Sequence, residues 1–158
     1  MSTGTIKIVA VRLVLNFDRG VEESVWAGSY DMVNSCINSR NFPIKQTGII
    51  QRDGKIVFFH RKINSEEAIV RLDEMNLQPS ELYPLLALGE LHPDIQRRNP
   101  IAALGSKVKL VGDILVPTID SWGKKRRLEL ALYEGGEWWQ NYGFLAFEKE
   151  DPKKLSAM

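Results

Sequence analysis

Between Lys107 and Lys149 the chain reads as strand, turn, strand, turn, strand, and this pattern limits the fold more than any other stretch does. Val108, Leu110, Ile114 and Val116 make one alternating apolar set and Leu128, Leu130 and Leu132 a second. Tyr142, Phe144 and Ala146 make a third, set against Leu145 and Phe147 on the other face. Alternation with a period of two marks half-buried strands. Ser121-Trp122-Gly123 and Gly135-Gly136 lie where the turns belong, so an antiparallel meander is the simplest connection.

Upstream, Ile6 to Phe17 reads as a strand, with Val9, Val11, Leu13, Leu15 and Phe17 on one face. The other face mixes Ile6, Ile8, Ala10 and Val14 with Arg12 and Asn16, as expected where that side of a sheet is only partly covered. From Glu22 to Arg40, Trp26, Tyr30, Val33 and Ile37 fall at helical spacing and predict an amphipathic helix with Trp26 in the core. Gly28, Ser29, Asn34 and Asn38 weaken that helix, and Asn41-Phe42-Pro43 ends it. Arg52-Asp53-Gly54 predicts a tight hairpin between strands at 47–51 and 55–63, because Asp-Gly supplies the positive φ angles such a turn needs.

Asn64, with Glu67 three residues on, predicts the cap of a short helix carrying Ala68, Ile69, Leu72 and Met75. A second helix runs through Leu82, Leu85, Leu86 and Leu88, with Pro84 tolerated in its first turn. A further helical turn fits Asp94 to Arg98, ended by Asn99-Pro100. The order argues for an α+β fold with a mainly antiparallel sheet of about six strands. An amphipathic helix follows the first strand, and short helices lie between strands three and four.

A length of 158 residues at 44% hydrophobic and 26% charged fits one core, so 1–150 is expected to be a single domain and 151–158 a flexible tail, with 1–5 a loose end. Cys36 is the one cysteine, and neither a secretory leader nor a bilayer-length apolar run is evident, which points to the cytoplasm. The net charge of +1 excludes a global field that would draw the chain to nucleic acid or an anionic membrane, so recognition by charge has to be local.

No motif names a chemistry. Gly135-Gly136 lacks the spacing of a dinucleotide loop, no Walker lysine pattern occurs, and Leu104-Gly105-Ser106 lacks the second glycine of a nucleophile elbow. Cys36, His60 and His92 are not spaced as zinc ligands, and Asp113 and Asp120 are no more than ordinary strand-end acids, so neither a metal nor a cofactor is expected. His60 falls on a predicted strand as a surface or packing residue, which leaves His92 as the better base for a hydrolase, with Asp94 or Glu90 to orient it.

Two surface features carry more weight. Lys124, Lys125, Arg126 and Arg127 sit at a turn beside Trp122, and cations with an exposed aromatic are the minimum for binding single-stranded nucleic acid. Arg97, Arg98, Lys107 and Lys109 extend that patch if the fold brings them near. Trp138 and Trp139 are adjacent, so on a strand one indole enters the core and the other faces out. With Tyr133, Tyr142 or Trp122 nearby, the outer indole makes an apolar patch suited to a protein partner, a second copy of the chain or a ring-shaped ligand. The first expectation is therefore a binding protein that uses this aromatic and cationic surface, with nucleic-acid binding and hydrolysis as alternatives.

Overall fold

The computed structural model describes residues 5–150, so the tail expected at 151–158 and all but Thr5 of the loose end expected at 1–5 lie outside the described residues. Among the described residues the fold is α+β, with four helices and a mixed sheet of nine strands rather than six. In chain order the elements are β1 Lys7–Asn16, α1 Val21–Ala27, β2 Met32–Val33, β3 Ile49–Phe58, α2 Ser65–Glu74, β4 Leu77–Pro79, α3 Leu82–Leu91 and α4 Pro93–Arg98. There follow β5 Ile101–Ala102, β6 Val108–Leu110, β7 Asp113–Trp122, β8 Lys125–Leu132 and β9 Gly143–Glu148. The sheet runs β1-β3-β9-β5-β7-β8-β2, with β4 alongside β9 and β6 alongside β7. The pairs β2 with β8 and β5 with β9 are parallel, and the others are antiparallel.

Helices pack on both faces of the sheet, although one face of β1 stays exposed at Ile8, Ala10, Arg12 and Val14. α1, α3 and α4 bring Val21, Leu85, Leu88 and Ile95 onto Leu13, Leu15, Ile56, Ile119 and Leu145. α2 brings Ala68 and Leu72 onto Val57, Phe144, Ala146 and Val116. α3 is buried from Leu82 to Gly89, as its lack of a polar stripe requires. Pro84 lies within its first turn, where a missing N–H costs nothing. The Asn64 cap also forms, with Oδ1 accepting from the Glu67 amide at 2.8 Å. Asn64→Ala is expected to destabilise the fold by about 1 kcal/mol, measured by urea unfolding.

Four expectations are corrected. The helix expected across Glu22–Arg40 stops at Ala27, because Gly28 caps it and Ser29 adopts φ 52°. Beyond it the asparagines serve turns, Asn34 Oδ1 accepting from the Cys36 amide at 2.9 Å and Asn38 Oδ1 from the Asn41 amide at 2.9 Å. Trp26 consequently stands 85% exposed instead of lying in the core.

Asp53-Gly54 makes no hairpin, since β3 runs straight through it and pairs with β1 along its whole length. Asp53 answers Arg12 across the strands at 3.2 Å. Gly54 is small because a Cβ there would lie 2.9 Å from the Phe147 ring. The set from Val108 to Val116 is two strands, split by a turn at Val111 (φ 48°) and Gly112 (φ 85°). Finally, β7 and β8 do form a hairpin, but β9 leaves β8 and crosses to lie between β3 and β5, so the three strands are not a meander.

Candidate ligand-binding cleft

The β7–β8 hairpin turns at Gly123, whose φ of 64° needs no Cβ, with Trp122 opposite Lys125. Strand alternation then separates the four cations. Lys124 and Lys125 are exposed and make no ion pair among the described residues. Arg127 turns to one face and grips Asp120 through two bonds of 2.9 and 2.7 Å, a contact that raises its pKa. The guanidinium also lies 5.8 Å from the ring of Trp122, which is 68% exposed.

Arg126 turns to the other face and is 4% exposed, so it is no part of a binding surface. Its guanidinium donates to the Gly28 carbonyl at 2.6 Å, the Gly89 carbonyl at 2.5 Å and Gln96 Oε1 at 2.8 Å. Those acceptors lie at the C-terminal end of α1, near the C-terminal end of α3 and on α4, so one side chain ties three helices to β8. Free helix carbonyls carry partial negative charge and suit a cation. Burial lowers the pKa of Arg126, yet a guanidinium keeps its proton inside a protein.

The Tyr30 ring lies under this guanidinium, 4.8 Å from its carbon. The ring fits because Gly28 and Gly89 flank it, since a Cβ on Gly89 would come within 2.0 Å of the Tyr30 hydroxyl and one on Gly28 within 2.3 Å of the ring. That hydroxyl is buried without a hydrogen-bond partner among the described residues, and burial pushes its pKa up, so it stays neutral.

Trp138 and Trp139 divide as the alternation predicts. Trp138 is 4% exposed, its indole N–H donates to Ser65 Oγ at 2.8 Å, and Ser65 in turn donates to the Tyr133 carbonyl at 2.7 Å. Trp138 therefore belongs to the core and is corrected as a surface residue. Trp139 is 61% exposed, with the Lys62 ammonium 4.5 Å from its ring centre.

Trp139 forms one wall of a cleft of about 570 Å³ at the end of the sheet, lined also by Gln96, Arg98, Asn99, Pro100, Asp120, Ser121, Gln140, Asn141 and Tyr142. Its walls are the end of α4, the approach to β5, the end of β7 and the loop before β9. The Gly143 amide donates to the Pro100 carbonyl at 2.8 Å, and Asn99 Nδ2 to the Asn141 carbonyl at 3.2 Å. Gln96 closes the floor by donating to the Asp120 and Arg127 carbonyls at 2.8 and 3.1 Å. Burial, then the Asp120 charge, raise the pKa of Tyr142 against the opposing effect of Arg127, so its hydroxyl is a neutral donor. The cleft thus offers one aromatic platform with amide, carboxylate, guanidinium and hydroxyl groups around it.

The residues proposed for hydrolysis are not assembled. His92 Nε2 donates to the Arg12 carbonyl at 3.1 Å, Glu90 holds Arg19 at 2.8 and 3.2 Å, and Asp94 lies 3.6 Å from Arg97. Neither carboxylate bonds to the imidazole, so the base lacks the orienting partner that such chemistry uses. His60 lies just beyond β3 at φ 55°, with Nδ1 on the Thr5 carbonyl. Among the described residues no three His, Cys, Asp or Glu side chains converge as metal ligands, and no helix is long and apolar enough to cross a membrane.

The amide-bearing walls escaped the sequence reading. The run Trp139-Gln140-Asn141-Tyr142, which places two amides between two aromatics just before a strand, was the available signal. No protein-family model, curated protein or solved structure matches the chain.

Proposed function

We propose that this chain is a cytoplasmic binding protein, not an enzyme, and that its site is the cleft at the end of the sheet. The ligand is a small polar ring that lies on Trp139 and presents its edge to Asn99, Gln140, Asn141 and Asp120. The carrying observation is the exposed indole of Trp139 on the wall of a polar cleft, beside a Trp138 that already serves the core. A protein partner or a second copy is less well supported, because Trp138 and Arg126 are buried and the groups around Trp139 are polar.

Saturation-transfer NMR with adenosine, uridine, glucose and N-acetylglucosamine tests this reading. At least one of them is expected to bind, and Trp139→Ala to weaken it about tenfold or more, as loss of a stacking platform does. The same variant should alter stability by less than about 0.5 kcal/mol, since the ring is exposed. Unchanged binding in that variant removes the cleft from consideration.

A further inference from the structure

The charges around the cleft favour one class of ring-bearing ligand. Arg97 and Arg127 are answered by Asp94 and Asp120, so those pairs leave the local charge near zero. Arg98, Lys124 and Lys125 are exposed and form no ion pair among the described residues, and Lys62 sits on Trp139. These groups are physically continuous. Arg98 and Trp139 line the same cleft as Ser121, the residue before Trp122, and Arg97 Nη1 donates to the Lys124 carbonyl at 3.0 Å.

We infer that the cleft and its rim bind single-stranded nucleic acid, an assignment that rests on the ring-binding reading above. One base stacks on Trp139 with its edge toward the amides, a second stacks on Trp122, and the intervening phosphates meet Arg98, Lys124 and Lys125. Every base has a flat face, so two indoles with cations between them hold a strand with little demand on its sequence.

Three cations release about two counterions from a single strand, so affinity for a ten-residue oligouridylate should fall about twentyfold between 50 and 200 mM salt. Fluorescence anisotropy with labelled oligouridylate and oligothymidylate reads this, and comparing the two shows whether the 2′-hydroxyl matters. The joint variant Lys124→Gln, Lys125→Gln should cut the salt slope by about two-thirds, and exposed hairpin lysines can be changed without unfolding the chain. Oligomers that bind no better than uridine, or a slope unmoved by the joint variant, would overturn the inference. If uridine or a sugar still binds in a Trp139-dependent way, the ring-binding reading stands without the strand; if none binds, both fall.

Discussion

Arg126→Met lowers stability by about 3–5 kcal/mol, the largest loss expected from any single substitution on the hairpin. The methionine fills much of the same volume but donates nothing to the Gly28 and Gly89 carbonyls or to Gln96, and these would lie buried without partners. Each such group carries a desolvation cost of about 1–3 kcal/mol, which outweighs any gain from removing a buried charge. Urea unfolding should show the midpoint falling by about 2 M with the slope unchanged. Arg126→Lys should recover only part of the loss, because an ammonium lacks the planar fork that reaches three helices at once. A loss below about 1 kcal/mol for the methionine variant would show that water replaces the guanidinium and that the helices do not depend on it.

Trp138→Ala is expected to cost a similar amount, about 3–5 kcal/mol, while the adjacent Trp139→Ala costs almost nothing. The indole of Trp138 packs edge-on against Tyr142 and Phe144, at 4.9 and 5.8 Å between ring centres. Its removal leaves a cavity and strands the Ser65 hydroxyl that now accepts from it. Trp138→Phe keeps most of the packing and should cost about 1–2 kcal/mol. The effect also reaches the cleft, because the Trp138 peptide pairs with Ile63 in both directions, at 2.8 and 3.2 Å, and so sets where Trp139 begins. Calorimetric melting of the two alanine variants side by side checks this; equal melting temperatures would contradict the division of labour between the two indoles.

The parts of the fold that were legible in the sequence are those whose stabilising contact is local. Asn64 and Glu67 meet within one turn, Pro84 needs only its own first turn, and the alternation from Ile114 to Leu132 records a face that each strand carries by itself. The misread segments answer to distant partners. Asp53-Gly54 has the chemistry of a turn, yet Arg12 and Phe147 settle its conformation from β1 and β9. Trp26 has helical spacing to Tyr30, but Tyr30 lies past the end of α1, in the connection to β2, held between Gly28 and Gly89 under Arg126. Trp139 at the cleft and Trp122 on the neighbouring hairpin could be picked out because a large aromatic beside a turn is conspicuous. The amides around them could not, because Asn and Gln acquire meaning only when four separate segments meet.

The position of β9 bears on how the chain reaches this structure. The β1–β3 ladder and the β5–β7–β8–β2 ladder share no hydrogen-bonded edge except through β9, the last strand in the described sequence. Lys55 must wait for Ala146, and closing so long a loop costs entropy before any contact offsets it. During synthesis the inner edge of β3 therefore stays open until β9 has emerged from the ribosome. The two halves of the sheet become one hydrogen-bonded body only when β9 docks between them, and until then the open edge of β3 is a site for mispairing.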